Sequence, residues 1–168
     1  ALTVHPEVVY AKVKKDDTVY YVCKALADKV LGGEYEILEE MTGKDLEFIE
    51  YEQMMPFVEA KKKAFFVTCA DYVTTEDGTG IVHTAGAFGD DDYNTCVRYG
   101  LPILQPVAEN GLFTETPWAG TFCKDADAEV FKDLRIRGLL FRALPFEHSY
   151  PHCWRCDTPL IYYARESW

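Results

Sequence analysis

The sequence predicts an α+β fold that is mainly β, barrel-like, with a few short helices. Short runs rich in β-branched and aromatic residues recur with turn signals between them, as at 8–13, 18–23 and 35–41. Segments with helical spacing are few and brief, and they do not alternate with strands as a doubly wound parallel sheet requires. At 168 residues, 48% apolar, the chain is long enough for one domain with a real core.

Taken in order, 8–13 and 18–23 are strand-forming runs joined by Lys14-Lys15-Asp16-Asp17, a polar connection suited to a hairpin. Residues 24–31 place Ala25, Leu26, Val30 and Leu31 at the spacing of a short amphipathic helix, ended by Gly32-Gly33. A third strand is expected over 35–41, with Glu34, Glu36, Glu39 and Glu40 as its solvated face. Residues 46–52 should pass over the surface towards Met54 and Met55, flexible side chains suited to filling core gaps. Residues 64–70 are almost continuously apolar, which predicts a central strand buried on both faces. Beyond Gly100 the expected elements are a strand at 102–107, a turn at Glu109-Asn110-Gly111 and a returning arm at Leu112-Phe113. A helix capped by Asp125 or Asp127 then shows Ala128, Val130, Phe131, Leu134 and Ile136 on one face, with Gly138 after it. Strands at 139–141 and 160–163 close the chain.

Composition excludes several functions. A net charge of −11 argues against a general nucleic-acid binder, because phosphate affinity comes from Lys and Arg releasing counterions. Any RNA contact must be local, at Lys61-Lys62-Lys63 or at Arg135, Arg137 and Arg142. No apolar run reaches the roughly 18 residues a membrane span needs, so a soluble cytoplasmic protein without a membrane partner is expected. The six cysteines show no secreted spacing pattern and no disulfide is expected. Only Cys153 and Cys156 have metal-like spacing; they are weak zinc candidates that need two more ligands, with His148 and His152 nearest. Neither a phosphate-binding glycine loop nor a Gly-x-Ser-x-Gly nucleophile turn occurs.

The most informative stretch is 78–100, Gly-Thr-Gly-Ile-Val-His-Thr-Ala-Gly-Ala-Phe-Gly-Asp-Asp-Asp-Tyr-Asn-Thr-Cys-Val-Arg-Tyr-Gly. It reads as strand, loop, helix. Ile81 and Val82 form the strand, and Ala85-Gly86-Ala87 with Gly89 permits a tight reversal. Asp90 is placed to cap a helix whose Tyr93, Cys96 and Val97 share one face and which Gly100 stops. His83 thus leaves a strand end, Asp92 enters a helix start, and their side chains are placed to share one pocket. Acids in a first helical turn also suit the helix dipole by themselves. As a divalent-metal cluster Asp90, Asp91 and Asp92 are poorly arranged, because consecutive helical residues point in different directions.

These residues carry a resemblance. Gly78 to His83, Ala85, Ala87 to Gly89 and Asp92 match the editing-domain signature of isoleucyl-tRNA synthetases, roughly Gly-Thr-Gly-Ile-Val-His-x-Ala-Pro-Ala-Phe-Gly-x-x-Asp. A second block, 150–164, is similar to the segment by which that inserted domain rejoins its synthetase core. Tyr99-Gly100-Leu101-Pro102 and Thr116-Pro117-Trp118-Ala119-Gly120 lie between them in family order. Gly86 replaces the usual proline, which should loosen the loop carrying His83. The family's threonine-rich strand, expected just upstream of Ala1, is absent, and the chain reads as an excised piece.

The resemblance implies an editing domain of the valyl/isoleucyl/leucyl-tRNA synthetase type over 1–145 and a return segment over 146–168. It implies hydrolysis of valyl-tRNA(Ile) and valyl-adenylate, with the tRNA(Ile) acceptor end and the rest of the synthetase chain as partners. Editing is expected to need no cofactor; ATP and Mg serve the parent's ligase core, which lies outside this chain. A hydrophobic pocket separates one methylene by only about 1–3 kcal/mol, a limit for which this family's own discrimination of isoleucine from valine is the standard illustration. In the implied site Asp92 anchors the substrate's amino group and His83 contacts the substrate, with a general-base role open to it. Thr79, Gly80, Thr84, Ala85, Gly86, Ala87 and Phe88 complete the substrate-binding wall. The isolated chain is expected to hydrolyse weakly or not at all. The alternative is a non-catalytic insert that contacts the acceptor end through a degraded pocket.

Overall fold

A computed structural model of the protein describes residues 1–145 and 149–165. They fall into two units, the first made of Ala1–Glu52, Ala60–Gly86 and Asp90–Ile103, the second of Gln53–Glu59, Ala87–Gly89 and the described residues from Leu104 onward. The expected division between 145 and 146 lies at the edge of the described residues.

The first unit holds two sheets of three strands each. In one, β1 (Leu2–Val4) is central, pairing in parallel with β5 (Val67–Cys69) and antiparallel with β6 (Ile81–His83). In the other, β2 (Val9–Lys15) lies between β3 (Thr18–Cys23) and β4 (Glu36–Thr42), all antiparallel. The hairpin joining β2 and β3 turns on Asp16-Asp17 alone, with Asp16 in the left-handed region at φ 51°, a conformation aspartate tolerates. As expected, the regular structure is mostly sheet with a few short helices, but among the described residues the sheets do not close into a barrel. Closure needs strands long enough to tilt and stagger, and β1, β5 and β6 have three residues each.

The apolar run at 64–70 gives only Val67–Cys69 as strand, at the edge of its sheet, while β1 takes the centre. Its outer edge is nonetheless covered. Phe48 N donates to Val67 O at 2.8 Å, Val67 N to Ile49 O at 2.9 Å and Tyr51 N to Phe65 O at 3.0 Å, so the segment after Leu46 occupies the edge without itself becoming a strand. Before that segment the chain makes one short helix, α2 (Gly43–Leu46), whose capping box joins the Thr42 amide to the Asp45 carboxylate at 2.8 Å.

The helix expected at 24–31 is a 3₁₀ turn, Lys24–Leu26, continued by α1 (Ala27–Leu31) and stopped at Gly32, φ 60°. It packs Ala27 and Leu31 against Ala11, Val13 and Val22 of the hairpin. A second cluster, Val4, Tyr10, Cys23, Leu26, Leu46 and Cys69, draws on both sheets. Tyr10 is fully buried there. Its hydroxyl donates to Gly80 O at 2.6 Å and accepts from His5 N at 3.0 Å, and burial pushes the phenol pKa up. Beside it Cys23 N donates to Thr79 O at 2.9 Å, so the hairpin holds the loop that leads into β6.

Among the described residues the second unit has one helix, α4 (Asp127–Ile136), whereas α3 (Asp90–Arg98) belongs to the first. The remainder is turns and isolated bridges, Val107 with Phe113, Leu112 with Phe122 and His152 with Pro159. Strands expected at 102–107, 139–141 and 160–163 do not form. Pro102 and Pro106 withhold ladder donors from the first. In the second, Leu139 N and Leu140 N both turn back to Leu134 O and close the end of α4. In the third, Leu160 N and Ala164 N find single acceptors, Pro151 O and Ala87 O. Ala126 stands at the N-cap of α4, not Asp125 or Asp127, and only Leu134 of the expected apolar face is buried; Phe131 and Ile136 are exposed. Met54 is exposed as well, its carbonyl and the Met55 sulfur receiving the Arg137 guanidinium at 2.7 and 3.4 Å.

Removing the Tyr10 hydroxyl leaves a buried carbonyl and a part-buried amide without their partner. Tyr10→Phe is therefore expected to lower unfolding stability by about 1–3 kcal/mol in a denaturant titration, and an unchanged midpoint would show that the hydroxyl holds nothing.

Candidate functional site

β6 ends at His83 because Ile81 and Val82 find a ladder partner in β1, with Leu2 opposite His83 and Val4 opposite Ile81. The ladder continues one residue further, Thr84 N donating to Ala1 O at 2.8 Å. The approach to β6 is set by Gly80, which has φ 71° and no room for a side chain: a Cβ there would lie 2.5 Å from the Cys23 Cβ. Thr79 folds over the same turn, its Oγ1 bonded to both the amide and the carbonyl of Ile81.

α3 begins at Asp90 with Asp90, Asp91 and Asp92 in its first turn and Arg98 in its last, the charge order that suits its dipole. Of the face expected to be apolar only Cys96 is buried, together with Thr95; Tyr93 and Val97 are exposed. Nine residues present a narrow stripe, which packs on Ala64, Phe66 and Leu101. Gly100, φ 65°, stops the helix as the sequence indicates.

Asp92 ties the helix start to the strand exit. Its Oδ2 accepts from Ala85 N at 3.0 Å and its Oδ1 from the Tyr72 hydroxyl at 3.3 Å. Among the described residues no hydrogen bond joins it to His83; the two act on each other through space. Protein crowding around the exposed His83 ring lowers its pKa from 6.5, the amino group of Ala1 pushes the same way, and Asp92 opposes them. His83 is therefore a neutral imidazole at neutral pH.

The other predicted wall residues divide. Thr84 is buried, with its hydroxyl turned to that of Thr3. Ala85 contributes its amide to Asp92. Gly86 is buried, and the space a side chain needs is already filled, since a Cβ would meet Ile103 Cδ1 at 2.7 Å and Cys96 Sγ at 2.9 Å. That packing holds the loop where glycine alone would loosen it. Ala87 and Phe88 belong to the second unit, where the Ala87 carbonyl accepts from Ala164 N at 2.9 Å.

A cleft of about 230 Å³ opens in the first unit, lined by Ala70, Asp71, Tyr72, Asp91, Asn94, Thr95 and Arg98. His83 and Asp92 are not among its lining residues. Asp91 faces this cleft while Asp92 holds the Ala85 amide, so the consecutive acids do diverge. Among the described residues no group of three His, Cys, Asp or Glu side chains is placed to hold a metal. Cys153 and Cys156 are free thiols. Cys156 lies 3.2 Å from the Thr158 hydroxyl, whose hydrogen bond lowers the thiol pKa, and His152 Nδ1 lies 2.9 Å from Tyr150 O. His148 falls outside the described residues. Among the described residues no helix is long and apolar enough to cross a membrane.

Sequence reasoning missed Tyr72, Thr3 and Thr68. The only signal was a single threonine inside each of two short apolar runs, Leu-Thr-Val and Val-Thr-Cys.

No protein-family model matches the chain. Its homologues are isoleucyl-tRNA synthetases. The isoleucine–tRNA ligase of Clostridium novyi (strain NT) is 46% identical over 170 residues, covering 100% of this chain and 16% of that protein. That of Thermus thermophilus is 46% identical over 168 residues with the same coverage, and that of Picrophilus torridus 42% identical, covering 99% of this chain and 16% of its own length. The chain thus spans about one sixth of the relatives it matches. Among solved structures the fold is that of GlLeuRS-CP1, at TM-score 0.63 and 17% identity, covering 86% of this chain and 78% of that one.

A side chain at position 86 must displace Cys96 or Ile103, so Gly86→Ala is expected to cost about 1–3 kcal/mol in chemical unfolding; no loss would mean the packing yields freely. The His83 titration, followed by NMR, should have its midpoint below 6.5. The unfolded chain then takes up this proton more readily than the folded one, so the His83 contribution to stability falls as pH drops through 6.5, a slope that His83→Gln should flatten. A midpoint above 6.5 would mean that Asp92 outweighs burial.

Proposed function

We propose that this chain, homologous over its whole length to a segment of isoleucyl-tRNA synthetases, is their editing domain and hydrolyses valyl-tRNA(Ile) and valyl-adenylate. The observation that carries the proposal is the fixed carboxylate of Asp92, held by the Ala85 amide a few residues from the strand end that carries His83. Support comes from full-length similarity to these ligases and from a fold shared with GlLeuRS-CP1.

In this mechanism Asp92 pairs with the substrate's α-ammonium. A carboxylate has about four lone-pair sites, and the Ala85 amide and Tyr72 hydroxyl take two, so acceptor capacity remains for the substrate. Orientation by such a pair turns an already labile ester towards water, which lowers the barrier. Neutral His83 bounds the amino-acid side chain, and its free lone pair can take the proton of an attacking water. The sieve admits valine and rejects isoleucine by size, the complement of the synthetic site. ATP and Mg serve the ligase core of the parent; the partners here are the acceptor end of tRNA(Ile) and the rest of that chain, in the cytoplasm.

One observation favours the competing reading, an insert that contacts the acceptor end without hydrolysis: the cleft of about 230 Å³ is lined by neither His83 nor Asp92. The two readings part in one experiment. In the full-length synthetase carrying this segment, Asp92→Ala is expected to leave isoleucine charging intact while valyl-tRNA(Ile) accumulates, its deacylation falling at least about tenfold, the loss of a charge-assisted contact. Deacylation at the unsubstituted rate would remove Asp92 from the mechanism.

A further inference from the structure

The substrate-facing carboxylate is the end point of a line of hydroxyls. Thr68 of β5 and Thr3 of β1 are direct partners across the parallel ladder, both fully buried, with their Oγ1 atoms 2.8 Å apart. Thr3 Oγ1 also bonds Thr84 Oγ1, just beyond β6. Thr84 Oγ1 lies 3.5 Å from the Tyr72 hydroxyl, and that hydroxyl lies 3.3 Å from Asp92 Oδ1. At the far end Thr68 Oγ1 is 3.3 Å from Leu2 O. Two neighbouring strands each supply one threonine and the residue just beyond a third supplies another, and the line runs through the protein interior to the start of α3.

The last link of this line follows from counting protons. Leu2 O accepts only, and so does the Asp92 carboxylate. Between these two acceptors stand four hydroxyls, each with one proton, and five links. One link must do without. Threonine hydroxyls bonded at 2.8 Å or less inside the sheet keep theirs, and a charged acceptor holds a proton more strongly than a neutral carbonyl. Tyr72 therefore donates to Asp92, and the link without a proton is either Thr68 to Leu2 O at 3.3 Å or Thr84 to Tyr72 at 3.5 Å. Where Thr84 donates to Tyr72 it polarises that hydroxyl, which strengthens the last bond.

We infer that Tyr72 is a positioning residue that aims the Asp92 carboxylate, with Thr84, Thr3 and Thr68 as its support. The Ala85 amide fixes one carboxylate oxygen and Tyr72 the other, so that together they set the rotation of the group. A carboxylate held at one oxygen only swings about that bond and presents its remaining lone pairs less often where the α-ammonium sits. This rests on the editing reading, and it assigns Tyr72 no contact with substrate.

Deacylation of valyl-tRNA(Ile) by the full-length synthetase tests it. Tyr72→Phe keeps the ring and removes the donor; kcat/KM should fall about tenfold, mostly through KM, because the orientation of a binding group is lost. Thr84→Val, which cuts the line one link earlier, should cost about threefold, and Thr84→Ser should restore the rate. The decisive comparison is the double variant. If Tyr72 acts only through Asp92, then Tyr72→Phe adds no loss to Asp92→Ala. Full additivity of the two losses, or an unchanged kcat/KM for Tyr72→Phe beside a crippled Asp92→Ala, overturns the positioning role and leaves the editing reading standing. An Asp92→Ala enzyme as active as its parent removes Asp92 from the mechanism, and the role of Tyr72 with it; a parent that does not deacylate valyl-tRNA(Ile) overturns the reading itself.

Discussion

Three residues, Leu2-Thr3-Val4, hold the site together. β5 and β6 do not pair with each other, and each is hydrogen-bonded to β1. Val4 enters the main core beside Tyr10 and Cys69, while Thr3 turns the other way and joins the hydroxyls of Thr68 and Thr84. One strand thus serves packing on one face and polar order on the other, as the two-residue period of a strand allows. The His83 end of β6 and the loop that delivers the Ala85 amide to Asp92 are positioned by this pairing.

A buried polar cluster of this kind stands or falls as a whole. Thr3, Thr68 and Thr84 are each nearly inaccessible, and an unpaired hydroxyl there costs about 1–3 kcal/mol, comparable with the gain from an apolar side chain of similar size. Among the described residues none of their oxygens lacks a partner. The cluster therefore supplies little net stability over an apolar core, but it ties β5, β1 and the residue after β6 into one arrangement. Order of that sort suits a site whose task is to hold a carboxylate at a set angle.

Much of this was legible beforehand, and what was not has a physical reason. The long hairpin of β2 and β3 showed itself by β-branched and aromatic residues over many positions, and the stops at Gly100 and Gly138 by glycines that adopt φ 65° and 69°. The strand end at His83 and the helix start near Asp92 were read correctly from local pattern. β1 was not, because three residues carry no period. The apolar face of α4 was misread for a different reason: spacing reports what a helix offers, and burial of Leu134 alone reports what its surroundings accept. Tyr72 escaped notice because its partners, Thr84 and Asp92, lie 12 and 20 residues away and no short motif records them. The bond from Asp92 to the Ala85 amide was equally invisible, although both residues stood inside the matched signature.

The layout of β1 also fixes an order of assembly. Thr3 meets Thr68 across 65 positions and Thr84 across 81, whereas the hairpin beside it closes over a two-residue turn. Contacts so far apart along the chain form late, after the entropy of closing a long loop has been overcome, while a hairpin forms within microseconds. During synthesis the strand at the start of this segment emerges well before either neighbour exists, and its ladder groups stay open to water until more than sixty further residues have followed. The sheet that bears the site is thus a late product of folding, completed on a hairpin that is already in place.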